Sequence, residues 1–255
     1  MKYSEYLKLY STFLKNNSDG EVSDLRLECT VESIRDWSEI GDLDDTKDWF
    51  LDQQSNCSMS IEDIPLYECK GWVYDEKKGV FQHESGEFFF VQGVRVSNTK
   101  DREVVGGWDQ PILTQVGFNG GLLGLLRQKK DGIPYYLVEA KAEPGNPDKV
   151  QISPTLQATF SNLKQAHGGK KPRYSEFFES PLDNSGVVLF DQWMSEDGGR
   201  LHLKRNKGML VEIPSDYKID EAHDGFRWLT LYQLKELIKL NSWVGPHVRS
   251  IISHL

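Results

Sequence analysis

The sequence predicts a single α+β domain, with a mixed sheet in the middle and helices at both ends. Three observations carry this. Apolar residues near the N-terminus recur at helical spacing, the period switches to two between residues 71 and 150, and helical spacing with capping signals returns at the C-terminus. At 255 residues, with 38% hydrophobic and 11% aromatic content, the chain is long enough for a proper core and too apolar for disorder.

Taken in order, Tyr3, Tyr6, Leu7, Tyr10, Phe13 and Leu14 share one face of a first helix, which residues 16–20 end. A second helix is expected to start near Thr30 and to carry Val31, Ile34 and Trp37. The acidic run 42–48 reads as a solvated loop or a helix start. Strands follow at 72–75, 79–83, 87–96, 121–128 and 134–142. Gly79, Gly86 and Gly93 punctuate the first three, and Lys130-Asp131-Gly132 marks a hairpin turn. A helix is then expected from Ser153 as N-cap, with Pro154 at its first position, to His167. Further strands fall at 186–193, 200–204 and 208–213. Thr230 and Gln233 make a capping box ahead of the stripe Leu231, Leu234, Leu237 and Ile238. A last helix begins at Pro246 and carries Val248, Ile251, Ile252 and Leu255. Residues 1–70 thus form a helical N-terminal segment, and 71–255 the core with its C-terminal helices.

Bulk properties exclude several function classes. A net charge of -9 argues against non-specific nucleic-acid binding. No apolar run approaches the roughly 18 residues of a membrane span, and residues 1–20 are too polar and acidic for a secretory signal. Cys29, Cys57 and Cys69 are odd in number and lack CxxC spacing, which fits a reducing cytoplasm better than a disulfide scaffold or zinc site. HExxH, GxSxG, GxGxxG and GxxxxGK[ST] are all missing, and the histidines 167, 202, 223, 247 and 254 show no metal-ligand spacing.

The chemistry concentrates in residues 108–174, where polar and charged groups interrupt apolar patterns. If 136–143 is extended, Glu139, Lys141 and Glu143 share one face, opposite Val138, Ala140 and Ala142. A lysine between two glutamates holds one carboxylate ionised while burial raises the other, giving a base and an acid near neutral pH. A solvated strand face with cross-strand ion pairs fits the same pattern. On the expected 153–167 helix, Thr155, Thr159 and Asn162 form a polar rib. Its hydroxyl-rich N-terminus, followed by Lys170, Lys171 and Arg173, suits a pyrophosphate; an amphipathic surface helix is the plainer alternative. Trp108, with Gln110 and Gln115, can stack on and hydrogen-bond a heterocyclic base, or plug the core. His83, beside Ser85 and Gly86 at a strand end, is either a site histidine or a structural one.

These segments resemble the NDP-hexose 2,3-dehydratase family. The matching residues begin with His83-Glu84-Ser85-Gly86-Glu87-Phe88-Phe89, Gly93-Val94-Arg95-Val96, Arg102-Glu103-Val104, Trp108-Asp109-Gln110-Pro111 and Gln115. They continue through Ala140-Lys141-Ala142-Glu143-Pro144-Gly145-Asn146, Gln151-Ile152-Ser153-Pro154-Thr155-Leu156-Gln157-Ala158-Thr159, Ser161-Asn162 and Pro172-Arg173-Tyr174. C-terminally they include Glu196-Asp197-Gly198-Gly199-Arg200, Lys204-Arg205-Asn206, Phe226-Arg227-Trp228-Leu229-Thr230 and Val248-Arg249-Ser250, so the match is collinear over roughly residues 70–255. Ordered motifs of this kind are far more specific than any one alone.

The resemblance implies a Nudix-like mixed β-sheet core, in a single module, without the Nudix metal site. Where a Nudix box would continue as a magnesium-binding helix, Arg102-Glu103-Val104 runs into Val105-Gly106-Gly107. The implied substrate is a nucleoside-diphosphate 4-keto-6-deoxyhexose, usually carrying dTDP, and the implied reaction is loss of its C2 hydroxyl with no redox cofactor or metal. In that reading Glu139 and Glu143 supply acid–base function and Lys141 polarises the C4 oxygen or tunes them, with Tyr174 and His83 as alternative acids. Arg173, Lys204 and Arg205 are candidates for the diphosphate, Trp108 with Gln110 or Gln115 for the base or sugar, and Arg95, Gln151, Thr155, Thr159 and Asn162 for further substrate contacts. Family members usually carry two such modules in one chain of about twice this length, so a homodimer would rebuild the pair. The labile product implies an NADPH-dependent 3-ketoreductase as pathway partner. Two other functions fit the residues less well: a non-catalytic nucleotide-sugar-binding module and a Nudix-type pyrophosphohydrolase.

Overall fold

The computed structural model describes residues 1–17, 23–118, 120–165, 170–219 and 225–255. Three helices come first: α1 (Tyr3–Asn17), α2 (Asp24–Glu32) and α3 (Leu43–Ser55). The strands β1 (Trp72–Asp75), β2 (Val80–His83), β3 (Phe89–Val96), β4 (Trp108–Gln115), β5 (Gly121–Lys130) and β6 (Ile133–Ala142) follow, then β7 (Val150–Pro154) and β8 (Leu156–Thr159). Two single-turn helices, α4 (Phe160–Leu163) and α5 (Glu176–Glu179), precede β9 (Val187–Ser195), β10 (Leu201–His202), β11 (Arg205–Ile213) and β12 (Phe226–Leu229). The helices α6 (Leu231–Ile238) and α7 (Pro246–Ile252) end the chain. The α+β expectation holds, in the form of two mixed sheets. One has the order β1-β2-β3-β4-β10; the other has β12-β6-β5-β11-β9, with β7 added to β6 and β8 to β5. No helix among the described residues is long and apolar enough to cross a membrane.

Local chemistry explains several elements directly. Asp131 and Gly132 both take positive φ (50° and 83°), closing the β5–β6 hairpin where Lys130 pairs Ile133, as a two-residue primed turn requires. The Thr230–Gln233 capping box forms as expected, and Pro246 opens α7, where its missing N–H is no loss. Asp42 caps α3 with a reciprocal bond to Asp45, so the acidic run is a helix start. The expected end of the first helix is met at Asn17; residues 18–20 lie outside the described ones.

Two sequence expectations are corrected. The second helix does not begin at Thr30; α2 is capped by Ser23 and ends at Glu32. The spacing of Val31 and Trp37 is used by a turn instead, in which the Trp37 indole donates to the Val31 carbonyl at 2.8 Å. The larger correction concerns the helix expected from Ser153 to His167. Residues 150–159 are extended, only residues 160–163 are helical, capped by Thr159, and His167 lies outside the described residues.

The reason lies in the sheet. β5 and β6 pair from the hairpin as far as Leu126–Leu137 and then diverge, leaving two rows of backbone groups without partners from each other. The 150–159 segment fills the fork, pairing β6 through residues 150–154 and β5 through residues 156–159. Thr155 sits at the apex, where its buried hydroxyl donates to the Leu137 carbonyl and accepts from the Leu126 N–H at 2.9 Å. Pro154, which cannot donate, falls where pairing passes from one strand to the other.

The larger sheet is covered on both faces. Leu122, Leu126, Leu137, Leu156 and Met209 pack with Tyr3, Phe177 and Phe178 on one side. Leu123, Leu125, Val138, Ile152 and Leu210 pack with Phe50, Leu234, Val248 and Ile251 on the other. An ionic cluster joins α2 to this sheet. The buried Arg127 meets Glu28 at 2.6 Å, Glu32 at 2.8 Å and also Glu212, while Tyr136 donates to Glu32 at 2.7 Å. The three cysteines are unpaired.

Candidate active site

The fork in the larger sheet opens a polar cleft of about 450 Å³. β6 brings Lys141 to its wall, and the chain just past the strand brings Glu143. β8 contributes Gln157 and Thr159, and α4 contributes Asn162. Across from them stand Glu196 at the end of β9, Lys204 before β11, Asn206 in β11 and His247 in the first turn of α7. Phe89 of β3 and Leu201 of β10 come from the smaller sheet, so the cleft lies where the two sheets meet.

Hydrogen bonds fix its members. Gln157 Nε2 donates to Glu143 Oε1 at 2.9 Å, and Lys141 Nζ donates to the Gln157 carbonyl at 3.3 Å. Lys204 Nζ donates to Gln115 Oε1, whose own Nε2 donates to the Gly120 carbonyl at 2.7 Å, and it also lies 5.3 Å from the centre of the Phe89 ring. Asn206 donates to Glu196 Oε1, and that oxygen is 3.7 Å from His247 Nδ1. Burial holds the Lys204 ammonium below its ordinary range, against Glu196, and burial likewise lowers the His247 imidazolium. Glu139 stands beside the cleft, 3.8 Å from Lys141. Burial raises its carboxyl, with Glu143 adding to the rise and Lys141 and Arg173 opposing it.

The arrangement therefore gathers two ammonium groups, two carboxylates and an imidazole of lowered basicity around one concave space. It can hold a polyhydroxylated ligand, take a proton from carbon or oxygen, and neutralise charge that develops on a carbonyl oxygen.

Of the residues singled out in the sequence, Lys141, Glu143, Thr159, Asn162 and Lys204 line the cleft, and Gln115 anchors Lys204. The others lie elsewhere. His83 packs against Trp72 and Phe88 and bonds Ser85 at 2.8 Å. Arg95 pairs with Asp109 at 2.8 Å on an exposed surface, and Trp108 donates to Gln110, which donates to the Gly199 carbonyl. Gln151 holds the Ser242 carbonyl, Arg205 lies over Trp193, and Thr155 is consumed by the fork. Arg173 is exposed, and Tyr174 packs edge-on against Phe226 beside a second cleft. Sequence reasoning missed Gln157, Glu196, Asn206 and His247 as site residues. The first three stand inside segments that carry the resemblance, and His247 adjoins another, but nothing local marks them as neighbours of Lys141.

A family model described as NDP-hexose 2,3-dehydratase matches residues 43–255, which includes every residue lining this cleft. The chain belongs to the NDP-hexose 2,3-dehydratase family. Among curated relatives it is similar to a dTDP-4-dehydro-6-deoxy-alpha-D-glucopyranose 2,3-dehydratase of Amycolatopsis orientalis, 34% identical over 83% of this chain and 44% of the relative. Proteins of the same description from Streptomyces violaceoruber and Saccharopolyspora spinosa are 34% and 35% identical, over 81% and 80% of this chain and 45% and 40% of their own lengths. The chain thus spans less than half the length of these members of the NDP-hexose 2,3-dehydratase family.

Proposed function

We propose that this chain catalyses 2,3-dehydration of a nucleoside-diphosphate 4-keto-6-deoxyhexose, with dTDP as the nucleotide, giving the 3,4-diketo-2,6-dideoxy sugar. The observation that supports it most is the convergence of Lys141, Glu143, Lys204 and His247 in one cleft of a chain from this family. The C4 ketone acidifies the hydrogen at C3. Glu143 removes that proton, and Lys141, two residues earlier on the strand, faces the C4 oxygen where enolate charge appears. The enolate expels the C2 hydroxyl, which leaves as water with a proton from Lys204, a better donor for its lowered pKa. The resulting enol takes up a proton at C2 and becomes the diketone. His247, backed by Glu196, orients a sugar hydroxyl. The paired ammonium groups supply the positive charge that a metal ion would otherwise bring, so the reaction proceeds with a chelator present.

The test is incubation with dTDP-4-keto-6-deoxyglucose and chelator, with and without an NADPH-dependent 3-ketoreductase, the enzyme class that would consume the labile diketone. A 2-deoxy product with the reductase, and released nucleotide without it, is the expected result. Intact substrate in both tubes would overturn the assignment. The active species is a homodimer; sedimentation of the active protein at monomer mass would refute that.

A further inference from the structure

Lys204, the proton donor of the proposed dehydration, stands immediately before β11, where its carbonyl accepts from the Glu196 N–H at 3.1 Å. Its ammonium is held from the smaller sheet. Gln115, the last residue of β4, accepts from Nζ through Oε1, and the Phe89 ring covers the same group. Gln115 and Phe89 are paired across β4 and β3, so both side chains leave that sheet on one face. Neither holder is charged. Among the described residues no carboxylate forms an ion pair with Lys204; Glu196 acts on it at longer range while accepting from Asn206. The other charged or titratable groups around the cleft are Lys141 and Glu143 on the β6 side and His247 on α7. His202 of β10 is in register with Thr114 and so belongs to the face opposite Gln115.

The buried Gln115 amide has one orientation open to it. Its Nε2 donates to the Gly120 carbonyl at 2.7 Å, and a carbonyl only accepts, so Oε1 is the end that meets Lys204. That carbonyl is itself fixed. Gly120 is buried with a φ of 71°, and a side chain there would collide with the backbone carbonyl of Arg205, the residue after Lys204. The contacts thus close a ring from Lys204 through Gln115 and Gly120 back to Arg205.

An amide at this point differs from an acid in one respect that matters. A carboxylate would hold the ammonium proton by charge as well as by geometry, whereas a neutral acceptor supplies the geometry alone. Resting on the proposed dehydration, we propose that Gln115 is the positioning residue for its proton transfer, aiming Lys204 at the departing C2 hydroxyl through an uncharged hydrogen bond. The ammonium gives one proton to the hydroxyl, which leaves as water with the electron pair of the C2–O bond. Lys204 remains as a neutral amine, and the proton taken up by Glu143 balances the one lost. Gln115 then serves the reaction through Lys204 rather than through the contact with base or sugar expected from the sequence.

Two variants of similar size test this, Gln115→Glu and Gln115→Met, each in the whole chain and each checked for folding by thermal melting. Ionisation of Lys204 is read without turnover, from the pH dependence of its acylation by trace acetic anhydride, followed by mass spectrometry. Gln115→Glu should raise the acylation midpoint by about one pH unit, which slows acylation about tenfold below it, and Gln115→Met should move the midpoint down. In both, kcat for dehydration should fall by about tenfold or more with KM little changed, because Lys204 loses either its acidity or its aim. A purely structural role would not displace the midpoint in opposite directions. Folded variants that acylate Lys204 with the wild-type pH dependence, or that dehydrate with wild-type kcat, would overturn the inference. Displaced midpoints in a set of proteins none of which dehydrates, wild type included, would leave Gln115 in control of Lys204 ionisation and sink the reaction instead.

Discussion

Glu143→Gln should lower kcat for dehydration by about 10²-fold or more, the contribution of a positioned general base, while KM stays near its wild-type value. The substitution keeps the shape of the site. Glu143 Oε1 accepts a hydrogen bond from Gln157 Nε2 at 2.9 Å, and the carbonyl of a glutamine side chain can accept the same bond. What is lost is the capacity to take a proton from C3. A positioning role would raise KM and leave kcat largely intact, so the split between the two constants decides the matter. Steady-state kinetics with the 3-ketoreductase in excess make the measurement. A kcat within a factor of about two of wild type would remove Glu143 from the proton transfer and leave His247 as the base to examine.

That the site was only partly legible in the sequence has a physical explanation. Lys141 and Glu143 stood out, together with Glu139, because a strand alternates its faces, and three charges at every second position along and just past a strand otherwise rich in buried residues are conspicuous without any tertiary knowledge. His247 and Glu196 carry no such local mark. They meet because α7 packs on β7 and β11 while β9 pairs with β11, contacts between segments far apart in the chain. The 150–159 segment shows the opposite failure. Ser153-Pro154 is a sound helix start by local chemistry, yet Val150, Ile152, Thr155 and Thr159 are β-branched and the diverging strands offered backbone partners. Tertiary hydrogen bonding overrode the cap. The polar rib of Thr155, Thr159 and Asn162 dissolved with the helix. Even so, Thr159 and Asn162 reach the cleft, because the strand leads into it.

The second large effect concerns stability. Arg127→Met should cost about 3–5 kcal/mol, the range found when one partner of a buried ion pair is removed. Arg127 and Glu32 side chains are exposed by only 1% and 2%, and Glu28 and Glu212 reach the same guanidinium, so the change leaves three carboxylates facing one another with one of them fully enclosed. Lys129 can answer Glu28 at 2.7 Å, but Glu32 would retain only the Tyr136 hydroxyl. Burial already pushes the Glu32 carboxyl up in the intact protein, with Arg127 and Tyr136 opposing it, and without the arginine that opposition shrinks. The cost is therefore that of stranding a charge rather than of losing a contact, and it should be partly reversible. Adding Glu32→Gln to Arg127→Met removes the enclosed charge while keeping an acceptor for Tyr136, and should restore a measurable part of the loss. Urea denaturation of wild type, both single variants and the double variant gives the coupling. Strict additivity of the two changes would show that the cluster does not act as a unit. A coupling of more than about 1 kcal/mol would establish it as the ionic joint that seats α2 on the sheet.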